Sequence, residues 1–242
     1  MTSIEHSVRP ERALAVGAHP DDVEFGCGAT IAKWAAAGTV VDLVVLTDGS
    51  KGTWDARADL VALIARRAQE QRDAATVLGV RDVHLLGRVD GELAQDLAIR
   101  AQLCALIRTL RPDIVLGHDP WHDGRLHPDH HVAGAITIES IVAARDPHFF
   151  ADQGLAPHRP RAAMLFEPGR VTHVEDVDGF VATKVEALLA HRSQWRSTMR
   201  IADEHDESQR ARFAERVHSV ARLAGLRIGA RAGETFRVID RV

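Results

Sequence analysis

The chain of 242 residues has a hydrophobic content of 45%, which is enough to bury one sizeable core, so a single domain over residues 1–242 is expected. The formal net charge of −4 at pH 7 gives no electrostatic reason to bind nucleic acid or an anionic membrane, and small molecules are the expected ligands. Two cysteines outside any CxxC pattern argue against a disulfide framework, and no stretch has the pattern of a targeting or membrane-spanning segment. A cytoplasmic location is therefore expected.

The first half of the chain alternates between strand-like and helix-like segments. Apolar or β-branched runs typical of buried strands are followed by polar turns, and these by segments whose apolar residues have helical spacing. Strands are predicted over 13–18, 40–46, 83–86 and 113–117, and helices over 26–37, 59–78 and 93–110. This alternation predicts an α/β fold with a mostly parallel sheet and helices on both faces.

The second half continues with a helix and then becomes less regular. Pro128 suits the first turn of a helix predicted over 129–144. Residues 147–160 contain three prolines and are predicted to form a surface loop or lid that influences substrate choice. Two short strands over 162–166 and 171–174, and a helix over 180–200, are predicted after it.

Polar motifs follow the predicted strands that end near residues 18, 46, 86 and 117. The carboxyl ends of parallel strands meet at one edge of the sheet, and ligands bind at that edge in folds of this kind. The sequence therefore predicts that its polar motifs converge on one site.

Two of these motifs have the composition of a metal site. His19 and Asp22 are three residues apart across a turn stiffened by Pro20, so both side chains can reach one ion. His127 and His130 lie one turn apart at the start of the predicted fourth helix, and a third ligand can come from this pair. Imidazole and carboxylate suit zinc, and three protein ligands leave a place for water, as in catalytic zinc sites.

Each motif has an alternative interpretation when it is considered alone. A His-Pro or Asp-Asp pair is typical of an ordinary turn with solvated carboxylates, but the occurrence of both motifs after predicted strands favours a site. A dinucleotide-binding loop is disfavoured because residues 17–22 do not match GxGxxG and contain two carboxylates, which would repel a pyrophosphate.

The segments 19–24, with the sequence HPDDVE, and 127–130, with the sequence HPDH, resemble the motifs of the PIG-L/LmbE-like zinc-dependent de-N-acetylases. The resemblance extends over nearly the whole chain and implies a Rossmann-like α/β fold. Within that family, the closest likeness is to the diacetylchitobiose deacetylases. It is carried by four further segments, TDGSKGT at 47–53, DPW at 119–121, HRSQ at 191–194 and GETFR at 233–237.

The resemblance implies a role for each residue of the two motifs. Asp21 would act as the general base, and His127 would stabilise the oxyanion or protonate the leaving amine, with Asp129 orienting its ring. His131 competes with its neighbour as a ligand, although its side chain should point about 100° away around the helix. The implied zinc ligands are His19, Asp22 and His130.

Three further residues are candidates for substrate contacts. Arg67, on the second predicted helix, could reach substrate or brace the loops, or it could form a solvated pair with Glu70. Asp90 could bind sugar hydroxyls or serve only in an Asp-Gly turn. Trp121 could stack on a sugar, although a single tryptophan in a loop is more often used for packing.

These observations predict a zinc-dependent hydrolase that removes the N-acetyl group from an N-acetylglucosamine-type sugar or glycoconjugate. The alternatives are an amidase acting on a larger thiol or sugar conjugate, a binding protein without chemistry, and a nucleotide-binding module. Neither a nucleic acid nor a membrane is an expected partner, and the family resemblance implies a homo-oligomer, either a trimer or a hexamer.

Overall fold

The computed structural model describes residues 9–124 and 126–242. Residues 1–8, in which no targeting segment is predicted, and Arg125, which precedes the second motif, lie outside the described residues. Among the described helices, none combines the length and apolar character needed to cross a membrane.

The described part of the chain forms one sheet flanked by helices. The strands are β1 (Arg12–Gly17), β2 (Val40–Thr47), β3 (Asp82–Arg88), β4 (Ile114–His118), β5 (Ala162–Phe166), β6 (His173–Asp176) and β7 (Gly233–Asp240). The α-helices are α1 (Asp22–Ala36), α2 (Leu60–Leu78), α3 (Leu97–Leu110), α4 (Pro128–Arg145), α5 (Val181–Ala190) and α6 (Glu207–Gly225).

The strand order across the sheet is β3-β2-β1-β4-β5-β7-β6. β1 to β5 are parallel, whereas β7 is antiparallel to both β5 and β6. The predicted α/β fold with a mostly parallel sheet is therefore confirmed. The last strand, β7, lies in a C-terminal segment in which no strand was predicted.

Successive residues of the central strands belong to two different cores. Leu14 and Val16 of β1 pack in the core that contains α3 and α4, whereas Ala13 and Ala15 pack in the core that contains α1 and α2. Side chains alternate across a strand, so a strand covered on both faces must be apolar at every position. The predicted placement of helices on both faces is confirmed.

Helix α1 begins earlier than predicted and is kinked at Cys27, whose φ is −150°. Gly26 lies against the ring of Phe166, where a Cβ atom would overlap the ring. The Glu234 carboxylate, from β7, accepts hydrogen bonds from the amides of Ala29 and Thr30 just after the kink. A carboxylate thus caps the second part of α1. Because of the kink, the first turn of the helix takes a different direction from the rest.

The predicted helix over 180–200 ends at Ala190, and two short turns, Arg192–Gln194 and Trp195–Met199, follow it. The amide and hydroxyl of Ser193 donate to the Glu70 carboxylate, and Gln194 Nε2 donates to the Gly52 carbonyl. These side-chain and backbone bonds compete with the helical ladder and bend the chain toward the loop after β2.

Residues 147–160 form a surface loop, but the prediction of a lid is wrong. The loop joins the end of α4 to the start of β5, and β5 begins beside the start of β4. It therefore lies at the amino edge of the sheet, opposite the ends of β1 and β4. The Arg108 guanidinium fixes it there by donating to the carbonyls of Asp146 and Phe149.

Candidate active site

The predicted convergence of polar motifs at the carboxyl edge of the sheet is observed. The turns after β1, β2 and β3 and the start of α4 surround a cavity of about 450 Å³. Its walls combine imidazoles and carboxylates with a few apolar groups. Among the residues that line it are His19, Asp21, Asp22, Phe25, Trp54, Arg67, Asp90, His127, His130 and Gln194.

Three candidate ligands point their donor atoms at one another. His19 Nδ1 lies 3.2 Å from His130 Nε2 and 3.3 Å from an Asp22 carboxylate oxygen, and His130 Nε2 lies 3.2 Å from the other Asp22 oxygen. A tetrahedral ion with bonds of about 2.0–2.1 Å separates its ligand atoms by roughly 3.3–3.4 Å. The spacing and chemistry of this donor set therefore fit a zinc-sized ion.

The charges around these ligands favour a cation. Burial alone would lower the pKa of the His19 imidazole, but the carboxylates of Asp22 and Asp90 outweigh it and raise the pKa to about 10. Burial alone would raise the pKa of Asp22, yet His118 and the other imidazoles hold it well below its usual range. A group of buried carboxylates around an imidazole accommodates either a proton or a metal ion.

The Asp129 carboxylate supports His19. It lies 3.1 Å from His19 Nε2, and it accepts hydrogen bonds from the amides of Gly91 at 2.7 Å and Leu93 at 3.2 Å. This differs from the expectation that Asp129 orients His127, because Asp129 on α4 is turned inward, with 1% of its surface exposed, and faces the loop after β3. A carboxylate on the remote nitrogen of a ligating imidazole fixes its tautomer and increases its basicity.

Asp21 lies beside the three ligands without belonging to them. Its backbone is in the left-handed region with φ at 101°, an unfavourable conformation for a residue with a Cβ atom. Gln71 Oε1 accepts a hydrogen bond from its amide, and the Arg67 guanidinium donates to the preceding carbonyl of Pro20 and lies 3.7 Å from the Asp21 carboxylate. Burial raises the pKa of Asp21 to about 6, against the opposing charges of Arg67 and His191.

His127 occupies the N-cap position of α4 at the mouth of the cavity. Its Nδ1 accepts a hydrogen bond from the Asp129 amide, so the neutral ring carries its proton on Nε2, which lies 3.9 Å from an Asp90 oxygen. Burial, together with the positive charge of His19 and His130, lowers the pKa of His127. A neutral imidazole with Nε2–H can donate a hydrogen bond into the cavity.

His118 is part of the site, although it has no ligand spacing that would have predicted its inclusion. It is the last residue of β4, and its Nε2 lies 3.2 Å from an Asp22 oxygen. Its ring stacks on His130 with a centroid distance of 4.5 Å. Among the described residues, three overlapping groups could hold a metal ion, and Asp22, His118 and His130 form one of them. The other two are His19 with His127 and His130, and His19 with Asp90 and Asp129. The one sequence feature that could have indicated His118 is its position at the end of a predicted strand, which places it at the carboxyl edge of the sheet.

The predicted substrate residues have different surroundings. Asp90 lines the cavity, where it contacts His19 Nε2 at 3.1 Å and accepts from the Lys51 amide. Arg67 also lines the cavity, but its guanidinium donates to the Gly49 and Pro20 carbonyls, so its observed contacts brace the loops.

Trp121, the third predicted substrate residue, is not among the residues that line this cavity. Its ring lies under the Arg237 guanidinium, 4.3 Å from the ring centroid. Trp54, which the sequence did not single out, lines the cavity instead. His131, the competing ligand candidate, is exposed on α4 and belongs to none of the candidate metal groups among the described residues.

Comparison with known proteins identifies the family. A family model described as PIG-L: GlcNAc-PI de-N-acetylase matches residues 14–141. The chain is 35% identical to a diacetylchitobiose deacetylase of Thermococcus kodakarensis, over 76% of this chain and 70% of that protein. It belongs to the PIG-L family. The resemblance inferred from its motifs is confirmed.

Two further relatives extend the comparison. A 1D-myo-inositol 2-acetamido-2-deoxy-alpha-D-glucopyranoside deacetylase of Kineococcus radiotolerans is 27% identical, over 80% of this chain and 72% of that protein. The solved structure of an N,N'-diacetylchitobiose deacetylase from Pyrococcus horikoshii, bound to the inhibitor MPG, has a TM-score of 0.85 and 30% identity. That similarity covers 96% of this chain and 84% of the solved chain.

Proposed function

We propose that this PIG-L protein is a zinc-dependent hydrolase that removes the N-acetyl group from an N-acetylglucosamine-type sugar or glycoconjugate. The observation that carries the proposal is the convergence of His19 Nδ1, His130 Nε2 and the Asp22 carboxylate at mutual distances of 3.2–3.3 Å. Asp21 is left over as a buried carboxylate beside this group. The named relatives are deacetylases of amino sugars, which supports the same reaction class.

His19, Asp22 and His130 would hold the zinc ion, and Asp129 and His118 would keep two of these ligands oriented. Zinc, when bound, polarises the amide carbonyl and lowers the pKa of a water molecule to about 7.

Asp21 would take the proton from the attacking water. Its pKa of about 6 lies close to neutral pH, where a general base is most effective because it is ionised yet still accepts a proton. The strained backbone at Asp21, held by Gln71 and Arg67, keeps the carboxylate beside the metal ligands. Asp21 can then return the proton to the departing amine, unless His127 performs that step.

His127 would donate a hydrogen bond from Nε2 to the oxygen that becomes negative when the amide carbon turns tetrahedral. Its lowered pKa keeps the ring neutral, and its exposed position at the cavity mouth lets it approach the substrate. A preoriented donor of this kind stabilises the transition state more than the bound substrate. Asp90 would accept hydrogen bonds from sugar hydroxyls, since its carboxylate faces the same cavity.

The alternative functions are less well supported. The larger-conjugate amidase is not favoured because the named relatives act on amino sugars. A binding protein without chemistry would not need Asp21 in a strained conformation next to three convergent ligands. The trimer or hexamer and the cytoplasmic location stay predictions. Exposed apolar side chains near the end of α6 and just after it, Val220, Leu223 and Leu226, offer a surface for self-association.

The direct test is to incubate purified, metal-analysed protein with N-acetylglucosamine, its short oligomers and acetyl-lysine peptides, and to measure acetate and free amine. We expect acetate from the sugars and none from the peptides. The Asp21→Asn variant, prepared in parallel, should release acetate at least ~10²-fold more slowly. Hydrolysis of the peptides without hydrolysis of any sugar would refute the substrate class.

A further inference from the structure

The cavity has an aromatic side chain on its open side. The candidate ligands His19 and Asp22 lie buried in it, whereas Trp54 lines the same cavity with 80% of its surface exposed. Exposed apolar residues scattered over a surface need no explanation. An exposed tryptophan in the wall of a polar cavity is different, because it presents a large apolar face to whatever enters.

The other tryptophans have partners within the protein. Trp34 is buried in the core, Trp195 donates its indole N–H to a main-chain carbonyl at 2.9 Å, and Trp121 packs under Arg237. Across residues 9–124 and 126–242, the Trp54 indole makes neither a hydrogen bond nor a ring contact. Its surface is thus available to a ligand.

The loop that carries Trp54 is held in place just before it. Gln194 Nε2 donates to the Gly52 carbonyl at 3.1 Å, and Arg67 Nη1 donates to the Gly49 carbonyl at 2.9 Å. A Cβ atom at Gly49 would lie 2.7 Å from the same guanidinium, so the turn packs closely on it. Trp54 is two residues beyond this anchor. The contacts at Gly49 and Gly52 therefore hold the backbone just before Trp54 in place at the cavity wall.

We propose that Trp54 is a stacking platform for the pyranose ring that adjoins the one being deacetylated, so that the protein prefers short oligosaccharides to a free monosaccharide. The inference rests on the proposed function. The acetamido group must reach the buried ligands, so the neighbouring ring lies toward the open side, where Trp54 is. The C–H face of a pyranose is apolar and matches an indole, while its hydroxyls face the polar wall.

The kinetic test compares N,N'-diacetylchitobiose with N-acetylglucosamine by acetate release from the metal-loaded protein. Trp54→Ala should lower the ratio of kcat/KM for the disaccharide to that for the monosaccharide roughly tenfold, as expected from the loss of one covered aromatic face. Trp54→Phe should keep most of the ratio. Trp121→Ala, whose side chain lies outside the cavity, is the matched control and should keep the wild-type ratio.

A binding test separates this inference from the deacetylase activity. In the Asp21→Asn background, titration with diacetylchitobiose should change the tryptophan emission, and Trp54→Phe but not Trp121→Phe should abolish the change. If wild-type protein releases no acetate but this signal is present, the proposed function fails and the platform stands. If Trp54→Ala leaves the substrate ratio unchanged, or the emission change survives Trp54→Phe, the platform is refuted.

Discussion

Replacing Asp129 by asparagine should weaken metal binding more than it slows the chemical step. The Asp129 carboxylate lies 3.1 Å from His19 Nε2, on the side of the ring opposite the candidate ligand atom Nδ1. Asparagine keeps the shape of the side chain but removes the negative charge that makes this imidazole a stronger ligand. Loss of such a partner costs about 10- to 100-fold in metal affinity, or about 1.4–2.7 kcal/mol.

The same substitution should also destabilise the fold. Asp129 accepts hydrogen bonds from the amides of both Gly91 and Leu93, and an asparagine offers only one oxygen. One buried N–H would then lose its acceptor, at a cost of about 1–3 kcal/mol. Thermal unfolding of the metal-free variant measures this loss separately from metal binding.

Metal affinity would be measured by competition with a chromophoric zinc chelator, on wild-type protein, Asp129→Asn and the control His127→Ala. We expect weaker zinc binding in Asp129→Asn and wild-type binding in His127→Ala. If Asp129→Asn binds zinc as tightly as the wild type but has a lower kcat, Asp129 acts through His127, and the reasoning from its contact with His19 is wrong.

Three further substitutions test separate parts of the site and fold. Asp21→Asn should keep its zinc and lower kcat by ~10²-fold or more, and loss of zinc from this variant would make Asp21 a ligand rather than a base. His127→Ala should lower kcat while KM stays within a few-fold, and an increase in KM alone would assign it to substrate recognition. Gly26→Ala should lower the free energy of unfolding by about 1–3 kcal/mol, because its Cβ would overlap the fully buried Phe166 ring. An unchanged unfolding midpoint would contradict the tight packing described at the kink.

Much of the architecture could be predicted because buried parallel strands and amphipathic helices leave local patterns. Strands β1 to β6 were found near their predicted positions, whereas β7 was not predicted, and the two histidine motifs met at the carboxyl edge as expected. The end of α5 could not be predicted in this way. It depends on a hydrogen bond from the Ser193 amide to the Glu70 carboxylate, which lies more than a hundred residues away in the chain.

The contacts within the site needed the pairing of strands. Ala15 of β1 pairs with Leu116 of β4, and this register sets His118 beside Asp22 across 96 residues of sequence. Sequence spacing suggests only which neighbours can share an ion, so it pointed to the HPDD and HPDH motifs and missed His118. The same limit made Trp121 look like a sugar contact when Trp54 lines the cavity.

The central claim is that a metal held by His19, Asp22 and His130 enables this protein to hydrolyse an N-acetylated amino sugar. The most direct measurement is acetate release from diacetylchitobiose by wild-type and His130→Ala protein after chelator treatment and again after zinc is restored, with the bound metal quantified in each sample. We predict that the wild type loses its activity when its zinc is removed and regains it when about one zinc per chain is restored. His130→Ala should neither bind the restored zinc nor release acetate. Acetate release that persists in the metal-depleted wild type, or full zinc binding by His130→Ala, would contradict the account.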